Sequence, residues 1–420
     1  MTDRSSASRH AAWRNPRRPV LILLLVGLAT PVTAQDSASE VDVVAGVGVY
    51  TNPYNSVEAP DASVAATLEV RPIFRQITET DSFELQGLVQ LRQFVKRFGL
   101  EDSYGISGRM VSRQSDRLTV RADGNFAYNE SGFNNDLRSS VPFGSGSPVP
   151  PVSPLPGTGA PFNDITILGQ RSRITSIGSQ LGVDYRVTDR SIVSADISGR
   201  ALRFKANEFG DYDYLSEELR YSQILTERTT VGAIVQFGQI DYRSGRVGDA
   251  NTISGLLSVD HRLDERLKAS VSAGIAVTKI RQQLGLPDAK LESFTLRGQI
   301  CREGERTNVC LNLQRSPQPS ADGNVRTSQS IGLDYWQRIS PRERFSLSAN
   351  YANVARGRLN VPNVSAVNFV SASARYENDF RKNTAAFASV NFSKIDQSGI
   401  SRRANFGAML GVRFKFGASR

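Results

Sequence analysis

A short polar motif returns along the chain at an almost constant interval, and that interval limits the folds available. It reads Thr80-Asp81-Ser82, Ser115-Asp116-Arg117, Thr188-Asp189-Arg190, Thr226-Glu227-Arg228, Asp264-Glu265-Arg266, Gly304-Glu305-Arg306, Arg342-Glu343-Arg344 and Arg381-Lys382-Asn383. Anchored on Arg190, Arg228, Arg266, Arg306, Arg344 and Lys382, the steps are 38, 38, 40, 38 and 38 residues, with 38 more after Lys382. A period of this size marks one supersecondary unit used repeatedly. The Arg117–Arg190 interval, at 73 residues, breaks the pattern, and its excess sits at 131–170, around Ser145-Gly146-Ser147-Pro148-Val149-Pro150-Pro151.

Between the motifs the residues alternate in polarity. Phe406, Ala408, Leu410, Val412, Phe414 and Phe416 fall on one face, and Gly407, Met409, Gly411, Arg413 and Lys415 on the other. Leu267, Ala269, Val271, Ala273, Ile275 and Val277 likewise oppose Lys268, Ser270, Ser272, Gly274, Ala276 and Thr278. Leu118, Val120, Ala122 and Phe126 oppose Thr119, Arg121, Asp123 and Asn125. Successive side chains of a strand point to opposite sides, so each segment is a strand with one apolar face. The repeating unit is a hairpin, with a tight turn at each motif. Looser stretches such as Asn52-Pro53-Tyr54-Asn55, Arg243-Ser244-Gly245-Arg246, Leu286-Pro287-Asp288 and Ser316-Pro317-Gln318-Pro319 fall between the turns.

The first 34 residues follow a different pattern. Arg4, Arg9, Arg14, Arg17 and Arg18 precede the apolar run from Val20 to Ala29, then Pro31 and Val32-Thr33-Ala34. This is the three-part layout of a secretory signal peptide cleaved after Ala34. A ten-residue apolar run is too short for a membrane anchor, which needs ~20 residues. Pro19 after Arg17-Arg18 argues against a twin-arginine signal, and no Cys near the site supports a lipoprotein. The whole chain of 420 residues carries 51 Lys and Arg against 41 Asp and Glu. Without residues 1–34 the balance is 46 to 40, a net +6 dispersed along the chain. Such dispersion gives no patch for nucleic acid.

The remaining segment, 35–420, reads as one domain. Its inward faces would carry Arg71, Arg92, Arg109, Arg121, Asp123, Arg200, Arg220, Asp260 and Asp334. Buried in the core of a soluble β-helix or sandwich these charges would be costly, whereas a water-filled lumen accommodates them. In lipid an unpaired strand edge costs several kcal/mol for each N–H or C=O, so strands that cross must close into a barrel. A crossing strand needs ~9–11 residues, which these segments supply. The expected fold is all-β: a transmembrane, antiparallel, up-and-down β-barrel of about eighteen strands, or sixteen if one motif is not a turn. Short turns on one side and long loops on the other are the asymmetry of an outer-membrane barrel with both termini in the periplasm.

Function follows from the same faces. The nine inward charges are the candidate pore lining, either as an anion-preferring path or as ion pairs that fill the interior. Cys301 and Cys310 flank Gly304-Glu305-Arg306 symmetrically and share a face with Arg297, Gln299, Asn312 and Gln314. Opposed in a hairpin and exported to an oxidising compartment, they are expected to form a disulfide, the alternative being two unpaired small residues. With only His10 and His261 in the chain, no metal cluster and no cofactor is expected. Catalysis is not expected either. His261 alternates with Leu257, Val259 and Leu263 and reads as an outer-face residue near the turn side. Tyr212, Tyr214, Tyr242, Tyr335, Phe345, Phe414 and Phe416 lie towards strand ends, where interfacial girdles require aromatics. The 131–170 insertion either narrows or caps the lumen, or is a surface loop.

The opening strand Ala45-Gly46-Val47-Gly48-Val49-Tyr50-Thr51-Asn52-Pro53-Tyr54 leads into Leu68-Glu69-Val70-Arg71-Pro72. With Phe94 and Phe98 and the exit strand Gly411-Val412-Arg413-Phe414-Lys415-Phe416, it resembles the β-barrel porin 2 family. The exit departs from the commonest outer-membrane pattern, because Gly417-Ala418-Ser419-Arg420 follows the last aromatic. The resemblance implies an outer-membrane barrel associated with exopolysaccharide production and export. The partners expected are outer-membrane lipid, polysaccharide or small polar solutes, and periplasmic export components. The functions open at this point are a passive pore or export accessory, a non-conducting barrel that docks periplasmic polysaccharide machinery, and an outer-membrane lipid-modifying enzyme.

Overall fold

A computed structural model of the chain describes residues 36–57, 62–96, 98–130, 172–205, 210–243, 248–281, 288–320, 324–355, 366–397, 400 and 402–417. The leader at 1–34 and the insertion at 131–170 lie outside the described residues. Among the described residues every regular element is a strand. The first six are β1 (Asp36–Tyr50), β2 (Ser63–Ile77), β3 (Asp81–Phe94), β4 (Leu100–Arg113), β5 (Leu118–Glu130) and β6 (Arg173–Thr188). The next six are β7 (Ser191–Phe204), β8 (Tyr212–Thr226), β9 (Thr229–Tyr242), β10 (Ala250–Arg262), β11 (Leu267–Ile280) and β12 (Ala289–Glu303). The last six are β13 (Thr307–Pro319), β14 (Val325–Ser340), β15 (Glu343–Val354), β16 (Val367–Arg381), β17 (Thr384–Gln397) and β18 (Asn405–Phe416).

Each strand pairs antiparallel with its sequence neighbours, and β1 pairs with both β2 and β18. The sheet is therefore a closed, up-and-down barrel of eighteen strands. The seam runs in register from Val41 opposite Phe416 to Tyr50 opposite Gly407, so no edge is left open there.

The polar motifs sit at the tight turns, and the hydrogen bonds explain their composition. Thr188, Thr226 and Ser340 each accept, through the side-chain oxygen, the backbone N–H two residues on, at Arg190, Arg228 and Arg342. Ser115 accepts from Arg117 N–H and Leu118 N–H, and Asp264 from Arg266 N–H and Leu267 N–H. A short side-chain acceptor followed two residues later by a free N–H is what these turns select. The two backbone donors hold the Asp264 carboxyl below the ordinary range for aspartate. Two anchors move as a result, the equivalent of Arg190 in the 382–383 turn being Asn383 and not Lys382. The turn before β15 spans 341–342, so its equivalent arginine is Arg342, and Arg344 is already in the strand. Register shifts precede the turns at 189–190, 227–228, 341–342 and 382–383, where a bulge tightens the twist into the turn.

On the outside, alternate positions expose large apolar residues, among them Leu181, Leu219, Leu257, Ile275, Phe294 and Leu410. Aromatic pairs border this surface: Phe74–Phe83, Tyr335–Phe345 and Phe414–Phe416 towards the turns, Tyr104–Tyr128 and Phe392–Phe406 towards the loops. Tyr212, Tyr214 and Tyr242 do not belong to a girdle, which corrects the expectation from their position near strand ends. Their register puts them on the concave face with Ile240 and Ala250, and Tyr212 is fully buried. Distance from a strand end gives height along the barrel. Only parity gives the face.

Candidate functional site

The interior divides into two zones along its axis. The turn-side zone is ionic. Arg413 on β18 lies directly opposite Ala385 on β17, which lies opposite Asp379 on β16. Ala385 has only a methyl side chain, too short to obstruct the guanidinium, which crosses it to Glu377 at 2.6 Å and Asp379 at 3.4 Å. Arg375 bonds Glu377 at 3.1 Å and sits 3.9 Å above the centre of the Phe387 ring, while Arg344 pairs with Asp379. Lys415 joins Glu40 at 2.6 Å, and Arg71 pairs with Glu69.

The opposite wall repeats the device with a glycine. Arg121, Gly182 and Asp196 stand in one row across β5, β6 and β7. The Arg121 guanidinium passes over Gly182 to Asp184 at 3.0 Å and Asp196 at 3.4 Å. A Cβ at Gly182 would run into the Asp196 carboxylate and come within 3.2 Å of Arg121 Nη2. Ser194 Oγ donates to Asp184, and Gln180 Nε2 to Asp196. Farther round, Arg297 on β12 reaches Glu218 on β8 at 3.3 Å and Gln236 on β9 at 2.8 Å. Contacts between strands four apart are possible only on the concave face, which identifies this face as the interior. A pocket of about 420 Å³ opens here, bordered by Arg121, Asp184, Asp196, Glu218, Arg220 and Asp260.

The loop-side zone carries three apolar clusters on its inner face, beside the buried charges of Arg92, Glu101 and Arg326. Ile174, Leu202, Tyr212, Ile240, Tyr242, Ala250, Ile280 and Val325 form one buried cluster over strands β6 to β14. Ala352, Val354, Val367, Phe369 and Ile395 form a second, and Tyr50, Ala65 and Phe94 with Phe98 a third. The chain bends inwards to complete this collar. Tyr242 Oη donates to the carbonyls of Ser320 at 3.2 Å and Asn324 at 2.9 Å. Strands β9 and β13 are four spacings apart, ~19 Å along the wall, so the β13–β14 connection is drawn into the mouth. The β1–β2 connection also turns in. Asn52 N–H donates to Asn405 Oδ1, Asn52 Nδ2 to Arg403 O and Asn55 Nδ2 to Ser393 Oγ, and Tyr54 packs on Phe98 at 4.9 Å.

All nine charged residues singled out from the sequence lie on the inner face by register. Arg71, Arg121 and Arg220 are in the ion pairs above or, for Arg220, with Glu218 at 3.3 Å. Arg109 faces Asp123 at 3.6 Å. Arg92 stands 5.0 Å over the Tyr50 ring, Arg200 lies opposite Tyr214, and Asp334 accepts from Asn312 Nδ2 at 3.3 Å. Asp260 borders the pocket. Cys301 and Cys310 stand directly opposite in the β12–β13 ladder and are joined, S–S 2.11 Å, with Cα atoms 4.1 Å apart. That Cα separation belongs to a non-hydrogen-bonded antiparallel pair, the closer of the two kinds. His261 is exposed on the outer face, its Nδ1 3.0 Å from Thr229 Oγ1. The described residues contain no group of three His, Cys, Asp or Glu placed to hold a metal. Parity counted from each turn would have found the collar, because Tyr212 and Tyr214 share it with Glu218 and Arg220.

No protein-family model matches the chain, and no curated protein matches it. Among solved structures it is similar to a BenF-like porin from Pseudomonas fluorescens Pf-5 (10% identity, 92% of this chain and 100% of that one, TM-score 0.46). It is similar also to OccAB3 of Acinetobacter baumannii (10%, 91% and 100%, TM-score 0.41). A third is Pseudomonas aeruginosa OccK2 in complex with glucuronate (10%, 91% and 98%, TM-score 0.43).

Proposed function

We propose that the chain is an outer-membrane channel of the porin kind, exported by a cleaved leader and passing small polar solutes by diffusion. The observation that carries this reading is the opposite polarity of the two faces of one wall. Leu257, Ile275 and Leu410 are exposed outwards, while Asp260, Arg413 and Arg297 are turned inwards on the same or adjacent strands. Lipid outside and water inside satisfy both faces, and no single solvent does. Arg71, Arg92, Arg109, Arg121, Asp123, Arg200, Arg220, Asp260 and Asp334 line the path in this reading. Ion pairing of Arg109 with Asp123, and of Arg71, Arg121 and Arg220 with neighbouring carboxylates, favours a weakly selective path over a strongly anionic or cationic one.

The collar sets the entry. Apolar side chains offer water no hydrogen bonds, so a ring of them is the narrowest energetic point of such a path. Folded protein in planar bilayers tests the proposal: discrete conductance steps are expected, larger in a Tyr242→Ser, Ile240→Ser double variant. Silent bilayers from protein that still migrates as a folded barrel on unheated gels would overturn it. Service to exopolysaccharide export is the finer reading and rests on the family resemblance. A deletion strain that keeps its secreted polysaccharide removes that part alone.

A further inference from the structure

On the outer face, a row of polar side chains runs across five strands near the loop side. Arg315 on β13 stands opposite Gln329 on β14, Gln329 opposite Asn353 on β15, Asn353 opposite Asn368 on β16, and Asn368 opposite Asp396 on β17. The first four are linked by side-chain hydrogen bonds, all in one direction. Arg315 Nη1 donates to Gln329 Oε1 at 3.2 Å, Gln329 Nε2 to Asn353 Oδ1 at 3.1 Å and Asn353 Nδ2 to Asn368 Oδ1 at 2.5 Å. Tyr351 Oη also donates to Asn368 Oδ1, and Lys394 pairs with Asp396 at 3.0 Å.

Height matters here. Arg315 is eight residues above the first residue of β13. At ~3.3 Å per residue and ~40° of tilt that is about 20 Å above the turns, still inside an apolar band ~25 Å tall. Asn368, thirteen residues from the end of β16, lies about 33 Å up by the same arithmetic, above the band. The row therefore climbs out of the hydrocarbon through the headgroup level. Below and beside it Ile331, Tyr351 and Val370 are exposed and apolar.

We infer that this row is a binding site for a phosphorylated glycolipid of the outer leaflet, an inference that rests on the outer-membrane reading. The directed chain uses up its acceptors internally. Arg315 Nε donates to Phe294 O, and neither Arg315 Nη2 nor Asn368 Nδ2 has an acceptor among the described residues. The Asp396 carboxylate is paired with Lys394, so the Arg315 end of the row offers N–H donors and a net positive charge outwards. A phosphate on a sugar supplies the complementary acceptors and charge, and a guanidinium–phosphate contact is the stronger kind of hydrogen bond. Acyl chains below the headgroup then lie on Ile331 and Tyr351, nine and eight residues from the turn-side ends of their strands and so about 23 and 20 Å up, within the band. A cationic partner would leave the donors facing donors, and a neutral one would leave the Arg315 charge without a counter-charge.

The test uses the folded full-length barrel, stripped of lipid in detergent and titrated with bisphosphorylated lipid A, bound lipid being counted by native mass spectrometry. Three variants are compared with the wild type: Arg315→Gln, the pair Asn353→Leu with Asn368→Leu, and a control pair, Gln239→Leu with Asn251→Leu, on the outer face of β9 and β10. Retention should fall about tenfold, the value of ~1.4 kcal/mol, in the first two and hold in the control. Equal retention in all, undiminished binding of dephosphorylated lipid A, inorganic phosphate binding as tightly as the lipid, or a lipid-independent dimer lost in the Asn353, Asn368 variant each overturns the site. Cell fractionation separates the two readings. A barrel absent from the outer membrane overturns both, and one present there that binds no lipid A overturns this site only.

Discussion

Arg121 and Arg413 reach carboxylates two strands away because the residue between them has almost no side chain. Gly182 and Ala385 act as gaps in the inner wall, and each gap turns a stack of adjacent pairs into a wider network. Filling the gap should break the network without touching a charge. Gly182→Leu is expected to cost about 1–3 kcal/mol, the usual penalty for overpacking, read as a lower urea midpoint for the folded barrel in lipid. Gly124→Leu is the control, since a Cβ at Gly124 meets nothing within 4 Å on the lipid face. Equal losses in both would show that the penalty belongs to glycine in a strand and not to the ion pairs. Alternation alone placed Arg121 on the inner face. It could not place Asp196 within reach, because reach depends on which residue the register sets between them.

At the scale of the element, the hairpin was the most legible unit. A turn needs a short acceptor and a free N–H two residues later, and Thr188-Asp189-Arg190 and Asp264-Glu265-Arg266 write that requirement directly into the sequence. The same chemistry explains the misplaced anchor at Arg344: Ser340-Pro341-Arg342 satisfies the turn through Ser340, while Arg342-Glu343-Arg344 only resembles the other motifs by charge. The β12–β13 hairpin has no such acceptor at Gly304, and its N–H bonds Thr307 O instead. Here Cys301 and Cys310 close the hairpin covalently, three residues before the first and four after the last residue of the 304–306 turn. A loop of this length restricts the unfolded chain by about 2–3 kcal/mol in the chain-entropy account. The Cys301→Ser, Cys310→Ser double variant should therefore still form a heat-modifiable barrel but unfold at lower urea by up to that amount. Reduction of the wild type should produce the same shift, and no shift in either case would mean that the ladder already supplies all of the constraint.

At the scale of the whole molecule, the wall is not uniform along the axis, and on β15 and β16 its polarity reverses. Beside the turns the wall is apolar outside and ionic inside, as at Leu410 and Arg413. Beside the loops of β15 and β16 it is polar outside and apolar inside, at Asn353 and Asn368 against Val354, Val367 and Phe369. Elsewhere on that rim Val49, Val64, Leu100 and Ile253 keep the outside apolar, and Arg92 and Glu101 keep the inside charged. The β15–β16 stretch of the rim is thus built like the wall of a soluble β-protein, with its inner residues packed on one another. Alternation by itself hides this reversal, because it keeps its period while its sign changes, and only parity counted from the turns exposes it. What holds the two halves together is closure. Every strand has the same two neighbours whether the chain is read from β1 or from any other strand, and Val41 stands opposite Phe416 at the turn side. Joining residue 417 to residue 36 by a short Gly-Ser linker and opening the chain at 227–228 should therefore give the same barrel, because it trades one turn-side connection for another and leaves all eighteen pairings intact. Opening it instead within β9, at 235–236, halves a strand and exposes two unpaired edges that lipid does not tolerate. Far-ultraviolet circular dichroism and migration on unheated gels, after refolding into lipid vesicles, should show a folded barrel for the first permutant and none for the second. Failure of the first alone would mean that the β1–β18 seam needs free ends to close, and that the order of strand addition, not the final pairing, decides whether the barrel forms.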